Sequence, residues 1–469
     1  MGRPRHRRAS HGADGAGHRQ RRVRRGRRPP DAPAHHAGAA LARPRGAEGR
    51  PPALVSSVHP TRASQPGGPA DAARIPVAGP QSDGTSPPWL DVAPVLRPLL
   101  PLYGLDVLTA FTVGMVPPLL PLLAAGWDLS AAEAGLVNAV YAAGRLCGSY
   151  PASRLRARLG TRAAVFLGLA LLILGAVGCG LAPGLPLFLA GRVLMGLGAS
   201  CTFLAVFAEL LELTPPPWRG RLTNVFEAVA ILSLAIGGVL AAAIAGRAGW
   251  RPVFVGAGPV LLVTVVFWPH LDPRAGRRPP AAPAGTAPAP VAWRRLLPVH
   301  AASLSMALTW AGLFSTLVPL IGSARYGLSS GALGLALGAG YLAELIGLLG
   351  VSLIVDRLPR EPVFLAGAAS VAVGGLFLAV GVHPGTFVLG LVLVGGGFAV
   401  WMIPATVLAD RVGGPLSPAH LATYRIAMDT GMIAGPLVVG GLASVAGDRL
   451  AVGVAGFALV AGALALARW

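Results

Sequence analysis

AGRVLMGLGAS, residues Ala190–Ser200, sets one arginine inside an apolar run that opens at Leu185 and meets no second charge until Glu209. A run of that length can cross a bilayer, whose hydrocarbon core needs about 20 apolar residues of helix. A charge at such a depth costs at least about 2.5–3.5 kcal/mol on insertion scales, so Arg192 must face a partner or a cavity. Gly196 and Gly198 follow it by one turn or more, where small residues let neighbouring helices approach closely.

Working outward, the same texture recurs from Pro98 to the C-terminus. The chain is 54% hydrophobic and 12% charged over 469 residues, against about a quarter charged in soluble domains. Twelve apolar spans can be marked: 98–122, 133–155, 163–182, 185–211, 223–245, 252–270, 296–321, 331–355, 362–381, 386–408, 420–445 and 449–467. The reading is an all-α polytopic membrane protein. Cys147, Cys179 and Cys201 fall inside apolar runs and form neither a disulfide framework nor a zinc spacing.

Residues 1–90 differ in kind. They hold 16 arginines against five acids and no aromatic residue before Trp89, too little apolar surface to offset the entropy of ordering. A disordered Arg/Pro-rich extension is expected, or a start assigned upstream of the true one. The stretch is not a signal peptide, because no apolar core follows its arginines. "RQRRVRRGRRPP" has the charge to attract nucleic acid or anionic lipid, but no nucleic-acid partner is expected.

All 39 basic residues are arginine. Counted over the loops, fourteen stand on one side of the membrane and four on the other, which assigns the richer side, both termini and the long loop 271–295 to the cytoplasm of a cell-membrane protein. That loop, rich in Pro and Ala, divides the chain into halves at 95–270 and 296–469. An internal repeat supports the division: "WDLSAAEAGL" from Trp127 aligns with "YGLSSGALGL" from Tyr326, and the offset of 199 also carries Gly148 onto Gly347 and Arg158 onto Arg357. Two related six-helix bundles with a site between them is the build of an alternating-access transporter.

With these features, residues 95–469 resemble the major facilitator superfamily, in particular its drug:proton antiporters. "SRLRARLGTR" is similar to the family's Gly-x-Leu-x-Asp-Arg-x-Gly-Arg-Arg loop, with Leu155, Arg158, Gly160 and Arg162 in place and Ala157 where the Asp belongs. Its second copy, "SLIVDRLPRE", keeps Asp356 and Arg357. "RVLMGLG" matches the Arg-x-x-x-Gly-x-Gly motif of span four, and "PPPWRGR" and "GWRPVF" resemble family loops. The antiporters' Gly-Pro motif is missing from span five, "LAIGGVLAAA"; a similar "GMIAGPLVVGG" stands in span eleven. The resemblance implies a role in proton handling for Arg192; the alternative is a structural arginine bonded to backbone carbonyls of span one. It also implies a cytoplasmic gate in which Glu212, Glu227, Asp410 and Asp429 meet Arg158, Arg162 and Arg357, with Asp356 nearby. Arg425 and Asp429, at i and i+4, are placed to pair.

Charges at depth select the transport candidates. Arg145 and Glu344 occupy equivalent points of spans two and eight, roughly 15 Å in, and Asp106 lies roughly 12 Å into span one. If Asp106 and Arg145 pair, Glu344 is the acid left without an assigned partner, with Arg192 or a backbone group as the alternative partner for it. Asn138, Tyr141 and Arg145 share a helix face, as do Tyr341 and Glu344; Trp310 and Trp401 add aromatic walls. The expectation is a secondary transporter, without cofactor or metal, acting as a monomer on a small amphipathic or cationic molecule in exchange for protons. The alternatives are a uniporter or importer of a polar metabolite, or a non-transporting sensor of the same fold. An enzyme is not expected: His270, His300, His383 and His420 lie at span edges, and no nucleotide-binding glycine loop is present.

Overall fold

Spans of this hydropathy can satisfy their backbone groups in lipid only within helices or closed barrels, and the chain takes the first course. The computed structural model describes residues 96–215, 218–271, 293–354, 357–412 and 418–468. The expectations for residues 1–90 and for most of the 271–295 loop concern residues outside those described, as does the one for Asp356.

Among the described residues there are helices and no strands. They form twelve crossings: α1 (Arg97–Trp127), α2 (Ala131–Leu159), α3 (Thr161–Leu181), α4 (Leu185–Leu213), α5 (Arg219–Ala248), α6 (Trp250–His270), α7 (Arg294–Ala324), α8 (Ser330–Ile354), α9 (Arg360–Val380), α10 (Pro384–Val412), α11 (Pro418–Ala446) and α12 (Asp448–Ala467). Eleven are long and apolar enough to cross a membrane unaided. The exception is α2, which carries Glu133, Asn138, Arg145 and three arginines in its last turns. Burying those groups depends on neighbouring helices rather than on lipid.

Local sequence explains the caps and breaks. Ser130 and Glu133 form a reciprocal capping box that starts α2. Gly160 ends it at φ 90, a conformation L side chains rarely adopt. Pro117 and Pro118 interrupt α1 with a 3-10 turn. In α7 the segment Trp310–Leu317 widens into a π turn, and Thr316 Oγ donates to the Ala311 carbonyl at 2.7 Å. Pro319 follows; with no N–H it leaves the Ser315 carbonyl without its helical donor. α10 unwinds around Ala399–Met402, just before Pro404. Trp310 and Trp401 thus both sit where a helix loses regularity.

The helices pack as two pseudo-symmetric bundles of six, α1–α6 and α7–α12. Each has its own core: one runs from Leu99 to Leu271, the other from Leu296 to Leu466, and Ile231 of α5 joins the second with Ala228, Leu234 and Ala235 packed beside it. Large apolar side chains such as Phe166, Leu353, Val445 and Phe457 point outward, as a lipid-facing surface requires. The bundles meet through α2 against α11 and α5 against α8. A Cβ on Gly135 would collide with the Pro436 carbonyl, and one on Gly334 with the Ala242 side chain. Both contacts lie in the half of the molecule away from the arginine-rich loops, so the bundles are pressed together at that end.

Candidate functional site

Between the bundles lies a cavity of about 200 Å³. Its wall draws on α1, α2, α4 and α5 from the first half and on α7, α8, α10 and α11 from the second. These are equivalent sets in the repeat, and the other four helices stay outside.

Three carboxylates face this space: Asp106 from α1, Glu227 from α5 and Glu344 from α8. Asp106 and Glu344 are each 5% exposed, and Asp106 Oδ2 and Glu344 Oε2 have no hydrogen-bond partner among the described residues. Glu227 interacts electrostatically with both of them and with Arg145 and Arg425. Arg145 and Arg425 line the same cavity. Arg145 Nη2 donates to Asp429 Oδ1 at 3.1 Å and Arg425 Nε to Asp429 Oδ2 at 2.9 Å. The pair expected between Asp106 and Arg145 is therefore not formed. Asp429, 284 residues from Arg145 in sequence, lies on the helix that packs along α2 and takes the guanidinium first.

The aromatic candidates divide. Tyr141, Trp310 and Trp401 line the cavity, and the two tryptophan rings lie 6.1 Å apart, edge to face. Tyr341 does not line it: the ring is buried against Phe314 at 5.0 Å. Nor does Asn138, which lies two turns nearer the closed end. Its Nδ2 donates to the freed Ser315 carbonyl at 3.1 Å and to Thr316 Oγ at 2.9 Å, joining α2 to the π turn of α7.

Arg192 also stays out of the cavity. It is 2% exposed, lies over the Tyr141 ring at 4.5 Å and donates to the Val137 carbonyl at 3.0 Å and to Asn138 Oδ1 at 3.4 Å. The carbonyl it satisfies belongs to α2, not to span one. Gly196 makes this possible: a Cβ there would strike the Tyr141 carbonyl, so only glycine lets α4 lie so close to α2.

The expected gate is arranged otherwise. Glu212 pairs with Arg156 at 2.7 Å and Asp410 with Arg360, each within its own bundle, because those arginines lie on adjacent helices. Arg158 and Arg357 are exposed. Arg162 donates to the Trp268 carbonyl at 2.9 Å. Glu227 and Arg425 belong to the cavity rather than to its end. Glu227 runs deeper than expected because α5 begins at Arg219, not at 223. Phe203, Met428 and Met432 complete the wall; in sequence nothing separates them from other apolar residues of their spans. Among the described residues no group of His, Cys, Asp or Glu could hold a metal ion.

The family model of the Major Facilitator Superfamily matches residues 102–415. A multidrug resistance protein, MdtL, of Escherichia coli (strain K12 / DH10B) is 31% identical over 135 residues, 29% of this chain and 34% of that protein; MdtL of Shigella boydii serotype 18 matches equally. The chain thus spans about a third of the length of these relatives. Among solved structures, a partially occluded inward-open conformation of the xylose transporter XylE from E. coli superposes with TM-score 0.61 at 15% identity, covering 80% of this chain and 99% of that one. The peptide transporter POT gives TM-score 0.62 at 17% identity, covering 79% and 94%. At such identities the two structures speak for the fold alone.

Proposed function

The chain belongs to the major facilitator superfamily and is a multi-pass membrane transporter of small molecules, and from this premise we propose that it exports a small amphipathic or cationic compound from the cell in exchange for protons. The observation that carries the reading is the pair of buried carboxylates, Asp106 and Glu344, that enter the cavity from opposite bundles with an oxygen each unpartnered. An ionised carboxylate is not left bare in a low-dielectric site without a counter-ion or a proton. Each therefore suits alternate occupancy by a proton and by the cationic group of a substrate. Trp310, Trp401 and Phe203 supply an apolar, aromatic wall for the remainder of an amphipathic molecule.

In this reading the arginine-rich end is cytoplasmic, the protein acts as a monomer in the cell membrane, and the structure is the inward-facing state. The contacts of Gly135 with Pro436 and of Gly334 with Ala242 close the outer end. At the inner end the Arg156–Glu212 and Arg360–Asp410 pairs stay within their bundles and leave the bundles free to part. A cation entering from the cytoplasm meets Asp106 and Glu344 and displaces their protons. Rocking of the bundles then exposes the site outward, where protons reload the carboxylates and release the cation.

The test is transport in everted vesicles containing the purified chain. With an inward-acid pH gradient imposed, adding a lipophilic cation such as tetraphenylphosphonium is expected to draw protons out and to accumulate the cation inside. Cation movement that ignores the gradient would refute proton exchange, and none at all would refute the cationic substrate.

A further inference from the structure

The charge inventory of the cavity goes further than "cationic", and this step rests on the reading just given. Asp106, Glu227, Glu344 and Asp429 face Arg145 and Arg425. Asp429 binds both arginines through separate oxygens, and Glu227 lies within electrostatic reach of the same two guanidiniums. Asp429 answers both arginines, Glu227 is the least buried of the three cavity carboxylates, and two remain. The remaining pair are Asp106 and Glu344, each 5% exposed, each with a buried oxygen that no described residue bonds. They stand on α1 and α8, in different bundles. One ammonium group bound at one of them leaves the carboxylate of the other bundle holding its proton.

We propose that the cavity is built for a dication, an α,ω-diamine with an apolar spacer, whose two ammonium groups bind Asp106 in one bundle and Glu344 in the other. The spacer lies along the Trp310–Trp401 wall, where an alkyl chain packs and an ammonium group gains further attraction from the ring faces. Bridging the bundles gives the ligand a distinct affinity for each arrangement of the two halves, which is what couples binding to rocking. Selectivity over monocations arises because a diamine makes a charge-assisted bond in each bundle where a monoamine makes one.

The experiment is a competition series on the full-length chain purified in detergent, with radiolabelled tetraphenylphosphonium as the displaced probe. α,ω-Diaminoalkanes from propane to decane are compared with n-alkylamines of equal carbon number. The expected result is an optimum at one spacer length, where the diamine displaces the probe at about tenfold lower concentration than its monoamine, the worth of one charge-assisted hydrogen bond. Asp106→Asn and Glu344→Gln should each abolish that advantage while still binding monoamines. A diamine no better than its monoamine at every length overturns the proposal and leaves the cationic-substrate reading standing. If neither the probe nor any amine binds the wild-type chain, that reading falls and this one with it. Retention of the length optimum in both variants would also overturn it, since the two carboxylates would then not be the anchors.

Discussion

Arg145 of α2 donates to Asp429 of α11 at 3.1 Å, and this ion pair crosses the boundary between the two bundles. Asp429 is 1% exposed and holds Arg425 through its other oxygen. One carboxylate answers two guanidiniums, so the three side chains are not equivalent under mutation. Asp429→Asn strands both arginines and is expected to cost about 3 kcal/mol, whereas Arg145→Gln leaves the Asp429–Arg425 pair intact and should cost about 1 kcal/mol. Thermal unfolding of the purified variants checks the order. Equal losses would mean that the two pairs do not share Asp429 in the way the distances indicate.

Asn138 is another link between the bundles. Its amide bonds the Ser315 carbonyl that Pro319 cannot serve, and its oxygen accepts from Arg192. Asn138→Ala leaves that carbonyl unsatisfied and should loosen the closed end by about 1–2 kcal/mol. In a chain with Cys147, Cys179 and Cys201 replaced by serine, a cysteine at Ser444, on α11 beside Ala132, should react faster with a membrane-impermeant thiol reagent when Asn138→Ala is added. Unchanged labelling would place the closure elsewhere along α2 and α11.

Orientation is testable in the same background. The arginine bias among the loops assigns the 271–295 segment to the cytoplasm and the turn near Pro384 to the outside. A cysteine in the first should be labelled only from the cytoplasmic face, and one beside Pro384 only from the outer face. The reverse pattern would invert the transport direction proposed above.

Much of this architecture is legible in the chain because lipid enforces it. Long apolar runs, arginine-rich loops and an offset of 199 residues leave little choice of fold, and the same offset sets Arg145 and Glu344 at matching depth. Pairing across the bundles is another matter. Nothing local to Arg145 announces Asp429, because the contact depends on how α2 lies along α11. Asn138 shares a helix face with Tyr141 and Arg145, yet a face two turns long runs out of the cavity and into the bundle interface. Arg192 was legible as a problem, a charge that needed partners, but Val137 and Tyr141 as those partners required the close approach that Gly196 permits.

The structure also changes what should follow from neutralising the cavity acids. Were Asp106 paired with Arg145, Asp106→Asn would strand a buried guanidinium and lower the amount of folded protein. Arg145 is instead held by Asp429, and Asp106 Oδ2 has no described partner to lose. The same holds for Glu344 Oε2. An amide in either place removes a desolvated charge and breaks no ion pair, so Asp106→Asn and Glu344→Gln should both accumulate in the membrane at wild-type levels, with a Tm equal to or above that of the parent. Their effect should appear in coupling and in the diamine's binding advantage, not in folding. Glu344→Gln is expected to cut pH-driven transport sharply while a cationic substrate still binds measurably, because Asp106 remains to receive it. Folded yield, Tm and proton-driven uptake in everted vesicles are measured together on each variant. A fall in yield for Asp106→Asn would restore a structural role to that carboxylate, and undiminished proton coupling in Glu344→Gln vesicles would move the proton site to Asp106 or Glu227.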